Sequence, residues 1–389
     1  MIQASAETHT STASRADRSV RVMYVIGSLD IGGTQKHVLE LLRGLDRRRF
    51  EPRVVVFRRG GFFYEEAVKL GIPVDSLEVH SMASLFGRFL TFLRLIRRHR
   101  PDVLHVFLFH SSLYGCLARL VPFGPKPKVI LSKRSLELDL ETDRYLVYRF
   151  LLMKVPHLIT AVSPPVVERC LELRAAPTRV RLIRNGIGCP TRAGQGRLRT
   201  LIGADEPCLL VGSVGSLTAR KQHQLLIRAF ARVVEARRDA RLVILGEGPL
   251  RPQLLAEIRR LHLESAVFLP GAVAPATDYL GDLRVFVLPS SEEGTSNALL
   301  EAMSLGVPVV ASRIPSNELL VRDGRSGLLV DPTDEGAFAD AIVRLLKDQE
   351  YASALAREAA QRVRDEYGLE QMIRENERAY TELALAGAR

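Results

Sequence analysis

The run Val285-Phe286-Val287-Leu288 has no polar face, so it reads as a strand covered on both sides, as in a parallel sheet between helical layers. A polar loop from Pro289 to Ser296 follows it. Ala298 to Leu305 is then rich in helix formers, and Gly306 and Pro308 supply stop signals. This order leaves Thr295 or Ser296 as the helix N-cap. The first-turn N–H groups have no partner inside the helix, and they face out of the carboxyl edge of the sheet with the positive end of the helix dipole. Such a place suits a phosphate. Glu293 in the loop and Glu301 in the helix frame it, with seven residues between them. Carboxylates repel a phosphate, so here they suit hydroxyls, as on a ribose. Spacing alone equally allows a loop charge and a solvated helix residue.

The same alternation runs along the whole chain. Arg21 to Ile26 reads as a strand, followed by the glycine-bearing loop Gly27 to Gln35 and a helix from about Lys36. Strands at Arg53 to Phe57 and Pro73 to Leu77 flank a helix at Phe63 to Leu70. Met82 to His99 reads as one helix, with Leu85, Phe86, Phe89, Phe92, Leu93 and Ile96 at helical spacing among several arginines. A basic amphipathic helix fits a core-packed element with a solvated face, and it equally fits an anionic membrane surface. Strands follow at Asp102 to Leu108 and Lys128 to Leu131. The clear composition break is Cys189 to Gly196, rich in Gly, Pro and small polar residues. The chain therefore divides into a disordered leader (1–19), a first domain (20–188), a linker (189–206), a second domain (207–368) and a last helix (369–389). The second domain restarts the pattern with a strand at Leu209 to Val214. Arg220-Lys221 precede a helix from Gln222, a cation pair that suits either a diphosphate or a solvated loop.

At 389 residues, and roughly 100–200 residues per domain, two domains can each bury a core. Cys116, Cys170, Cys189 and Cys208 are scattered without metal-ligand spacing, which points to a reducing compartment and to no zinc site. No apolar run approaches the ~20 residues of a membrane span, and the polar start lacks the apolar core of a signal peptide. A cytoplasmic protein is expected. The net charge of +11 implies anionic surroundings, and no nucleic-acid module accompanies it.

The 288–303 stretch resembles the E-x7-E motif of retaining glycosyltransferase family 4, which has the GT-B fold. The similarity extends through Gly306 to Ser312, Glu318-Leu319 and Asp323 to Val330, and more loosely into the first half. It implies two Rossmann-like domains facing a central cleft, donor on the second, acceptor on the first, and the last helix crossing back. The activity it implies is transfer of a sugar from a UDP- or GDP-linked donor to a glycan or lipid-linked acceptor, with retained anomeric configuration. Such a peripheral enzyme would meet anionic membrane through Met82 to Arg100. No metal is expected, since the chain has no D-x-D.

Residue by residue, the resemblance puts Gly32 and Gly33 opposite the donor diphosphate and pairs Lys221 with it. Arg220 stands in for an arginine the family has where this chain has Ser216. Val273 falls in the loop that reads the base. Glu293 would contact the donor sugar, Glu301 the ribose, and the backbone of Gly294, Thr295, Ser296 and Asn297 the phosphate or sugar. Many relatives carry H-x-H on the 102–108 strand, but the second position here is Phe107. His110 then takes the donor-contacting role and joins Glu293 as a catalytic candidate, with His105 and Arg134 on the acceptor side. Two alternatives differ in kind. A sugar-nucleotide epimerase of the same fold should show extra acid–base residues. A non-catalytic basic membrane-binding protein has no reason to keep Glu293, Glu301 and Lys221 together.

Overall fold

The computed structural model describes residues 18–136, 142–188, 196–204 and 207–386. Short apolar strands too hydrophobic for a solvated face stack into two parallel sheets, each covered by helices on both sides. The first holds β1 (Val20–Ile26), β2 (Phe50–Val56), β3 (Val74–Ser76), β4 (Val103–Phe107), β5 (Lys128–Lys133), β6 (Leu158–Ala161) and β7 (Val180–Leu182), in the order β3-β2-β1-β4-β5-β6-β7. The second holds β8 (Leu209–Val214), β9 (Ala240–Leu245), β10 (Val267–Gly271), β11 (Val285–Leu288), β12 (Val309–Ser312) and β13 (Leu328–Val330), in the order β10-β9-β8-β11-β12-β13. Both orders reverse direction beside the first strand of the sheet, the switch point where open α/β sheets bind ligands. Each sheet has an apolar core on either face.

Three local expectations change. The single helix over 82–99 is two, Met82–Gly87 and Phe89–His99, because Gly87 and Arg88 interrupt it. Leu85, Phe92 and Ile96 are buried as the spacing requires, but Phe86 and Leu90 are 75% and 62% exposed. Within the expected linker, Arg197–Ile202 is a helix. Leu198 lies in the second core, and the Asp282 carboxylate accepts from the N–H groups of Gly196 and Leu198. Residues 189–195, 205–206 and most of the expected leader lie outside the described residues.

The chain crosses between domains twice, side by side. Ile187 N–H donates to the Tyr367 carbonyl at 2.8 Å, next to a bridge between Ile187 and Gly368. The helix Leu369–Leu385 then packs on the first domain, where Met372, Ile373, Ala379 and Tyr380 join Val22, Leu41 and Phe50 in one core. Gly44 lies against this helix, where an added Cβ would meet the terminal methyl of Ile373 and force that side chain to shift.

Candidate active site in the interdomain cleft

The loop after β11 is fixed from below before it meets any ligand. Ser312 Oγ donates to the Ser290 carbonyl, and Asn317 Nδ2 donates to the Ser312 carbonyl at 2.9 Å. Ser290 Oγ in turn donates to Glu293 Oε1 at 2.8 Å. The helix that follows is Asn297–Ser304, with Ser296 as its N-cap, its Oγ accepting from Leu299 N–H. The N–H groups of Asn297 and Ala298 have no acceptor among the described residues and open on a cavity of about 400 Å3 between the domains.

Glu293 is buried and neutralised by cations from the loop after β8. Lys221 Nζ donates to its Oε1, and Arg220 Nη1 stands 3.6 Å from its Oε2. The short Ala219–Lys221 turn carries both cations, and the Arg220 carbonyl accepts from Ser291 N–H at 2.9 Å. Glu301, one turn into the helix and also buried, accepts from Lys36 Nζ at 2.6 Å. Lys36 comes from the Gly33–Gly44 helix of the first domain.

Further bonds close the cleft. Ser163 Oγ donates to the Gly294 carbonyl at 2.7 Å, and Asn297 Nδ2 to the Gly33 carbonyl at 3.2 Å. Arg134 Nη2 donates to Asn185 Oδ1 at 2.8 Å, and Asn185 Nδ2 to Asn297 Oδ1 at 2.6 Å. Arg134 touches the cavity only in part, and burial pushes its guanidinium down to about 9, still cationic at neutral pH. Gly294 is the point of closest approach: a Cβ there would overlap the Arg134 carbonyl oxygen.

The cavity thus gathers Gly32, Gly33, Arg134, Arg220, Lys221, Val273, Glu293, Gly294, Thr295, Ser296, Asn297 and Glu301, all expected from the sequence. The cations on its wall (Lys36, Arg134, Arg220, Lys221) outnumber the carboxylates (Glu247, Glu293, Glu301), which favours an anionic ligand.

The histidines are the corrections. His105 is fully buried under Tyr24, Phe107 and Tyr380, its Nδ1 2.8 Å from the Tyr380 hydroxyl. Burial, and then the nearby Arg134 charge, pushes it down to about 3, so it is a neutral core residue and not an acceptor-side group. His110 lies in the first turn of Phe109–Leu120, half-buried, and is not among the residues lining the cavity. Leu108, at φ 66°, turns the chain as β4 ends, and His110 sits near Arg144, where burial and that charge lower its pKa. Lys36 and Asn185 are the residues that sequence reading missed. The available signals were a cation three residues beyond Gly33 and the Asn of an Asn-Gly turn.

Two family models match the chain: Glycosyltransferase Family 4 over residues 31–189, and Glycosyl transferases group 1 over residues 209–348. The chain is 30% identical to the Campylobacter jejuni N-acetylgalactosamine-N,N'-diacetylbacillosaminyl-diphospho-undecaprenol 4-alpha-N-acetylgalactosaminyltransferase, over 71% of this chain and 75% of that one. With the lipopolysaccharide core biosynthesis glycosyltransferase LpsE of Rhizobium meliloti it shares 29% identity, over 84% and 88%. Among solved structures, Anabaena HepE in complex with UDP and glucose superposes with a TM-score of 0.82 at 18% identity, over 93% of this chain and 100% of that one. Matched by family models in both halves and by the Campylobacter relative over most of its length, the chain belongs to glycosyltransferase family 4 and is a glycosyltransferase of GT-B fold.

Proposed function

We propose that the donor is a nucleoside-diphosphate sugar, held in the interdomain cavity, and that its sugar passes with retained anomeric configuration to a glycan or lipid-linked acceptor. The observation that carries this reading is the convergence of Lys221, Arg220 and the open N–H groups of Asn297 and Ala298 on one cavity. As the bond to the sugar breaks, negative charge develops on the departing diphosphate. Preorganised cations and a helix N-terminus stabilise that charge without reorganising. In this reading these groups replace a resident metal ion. Lys221 exchanges Glu293 for phosphate, which frees the Glu293 carboxylate for a donor-sugar hydroxyl while Ser290 keeps it oriented. Glu301 takes the ribose. Retention is the expectation that family membership carries.

The named acceptor of the Campylobacter relative is diphospho-undecaprenol-linked, which supports a lipid-linked acceptor here. Among the described residues no helix is long and apolar enough to cross a membrane. We propose that the enzyme works at the cytoplasmic face of the membrane that carries such an acceptor, touching anionic lipid through residues 82–100. Exposed Phe86 and Leu90 beside exposed Arg88, Arg94, Arg97 and Arg98 support that contact.

A thermal-shift panel tests the donor reading, with UDP, GDP and ADP and their sugars, with and without EDTA. Wild type runs beside Glu301→Ala and Lys221→Ala. One nucleotide class should raise the melting temperature by mass action, unaffected by EDTA and lost in both variants. A shift abolished by EDTA sinks the metal-free site, and no shift from any nucleotide sinks the donor assignment.

A further inference from the structure

Two cross-cleft contacts occupy one face of each of two helices. Asn297 and Glu301, four residues apart, meet Gly33 and Lys36, three apart, through Asn297 Nδ2 to the Gly33 carbonyl and Lys36 Nζ to Glu301 Oε1. Spacings of three and four keep both members on one side of a helix. Only 5% of the Glu301 side chain and 23% of that of Lys36 are exposed, so breaking the pair leaves a carboxylate uncompensated away from bulk water. Lys36 engages Oε1 alone. Oε2 has no hydrogen-bond partner among the described residues, and Glu301 lines the cavity.

We propose that Lys36 is a positioning residue that couples occupancy of the donor site to closure of the two domains. The inference rests on the donor reading above: a nucleoside hydroxyl takes Glu301 Oε2 while Lys36, delivered from the opposite domain, holds Oε1. The ligand fixes the carboxylate in the orientation Lys36 needs, and Lys36 fixes it in the orientation the hydroxyl needs. Such coupling is reciprocal. Nucleotide favours the closed arrangement, and closure raises nucleotide affinity by the same factor.

The test is a double-mutant cycle on UDP, GDP and ADP affinity by calorimetry, with small-angle X-ray scattering at saturating nucleotide. The proteins are wild type, Lys36→Met, Lys36→Arg, Glu301→Gln and the Lys36→Met/Glu301→Gln double variant. Lys36→Met should weaken binding about 5- to 20-fold in the wild-type background, within the usual range of coupling between sites, and less than about twofold beside Glu301→Gln. Its nucleotide-saturated radius of gyration should exceed that of wild type, and Lys36→Arg should recover part of both losses. Equal weakening in both backgrounds, or an unchanged radius of gyration, overturns the coupling while leaving the donor site standing. Failure of wild type to bind any of the three nucleotides brings down the donor reading and the coupling with it.

Discussion

Asn185 Nδ2 lies 2.6 Å from Asn297 Oδ1, so the turn that ends the first domain's last strand holds the first residue of the helix at the heart of the second. The same Asn185 accepts from Arg134 through its Oδ1. Asn185→Ala removes both bonds. Losing a hydrogen bond to a charged group costs roughly 1.5–3 kcal/mol, which predicts a drop in kcat/KM of about 10- to 100-fold. Circular dichroism should show both domains still folded. An unchanged kcat/KM would mean that the bridge does not contribute to transfer.

Lys221→Met removes the cation nearest Glu293 and leaves that carboxylate with Arg220 and Ser290. If Lys221 stabilises the departing diphosphate, kcat should fall by at least about 100-fold, the usual scale for removing one preorganised donor. Steady-state kinetics with the donor class found in the thermal-shift panel gives the answer. A rise in KM with kcat intact would reassign Lys221 to ground-state binding.

Gly294→Ala places a methyl group against the Arg134 carbonyl oxygen. The clash falls between the domains rather than within either core. Activity should therefore collapse while stability changes by less than about 1 kcal/mol, a shift in Tm of no more than about 2–4 °C. A large fall in Tm would show that the loop is part of a folding core.

His37, His105 and His223 are buried and kept neutral, with desolvation as the leading cause; His105 and His223 are pushed down to about 3 and His37 well below its ordinary 6.5. Between pH 6.5 and about 3 the unfolded chain therefore binds more protons than the folded one. Stability is complete above pH 6.5 and is lost as pH falls, at up to about 1.4 kcal/mol per pH unit for each histidine. Urea unfolding at pH 7.5, 6.0 and 5.0 measures the slope, and His105→Gln should make it shallower. An unaltered slope would mean that His105 is protonated in the folded state.

Exposed Phe86 and Leu90 predict that Phe86→Asp/Leu90→Asp releases the protein from vesicles of anionic phospholipid. Each apolar side chain is worth about 1.5–3 kcal/mol when buried, so co-sedimentation should fall roughly 100-fold or more. Equal sedimentation of both proteins would place membrane contact elsewhere.

What the sequence disclosed follows the range of the forces involved. The β11 strand, its loop and the Ser296 cap are set by neighbours within a few residues, so pattern and capping chemistry reveal them. Lys36 and Asn185 acquire meaning from partners more than a hundred residues away, 301 and 297, and no local signal encodes such a pair. His105 was misplaced because β4 is buried on both faces, so alternation along it does not say which side chains reach the cleft. The helix break at Gly87 was hidden by apolar residues whose spacing continues across it, although Phe86 and Leu90 turned out to face solvent.

The Leu369–Leu385 helix has a consequence for how the polypeptide is made. It emerges from the ribosome after all thirteen strands, yet its Met372, Ile373 and Tyr380 fill a seam beside β1, which emerges first among them. The domain synthesised first is therefore the one completed last, and its apolar seam waits open while the second half is translated. Nascent chains of such a protein expose a hydrophobic surface for longer than two independently folding domains would, which makes the first domain the natural client of chaperones.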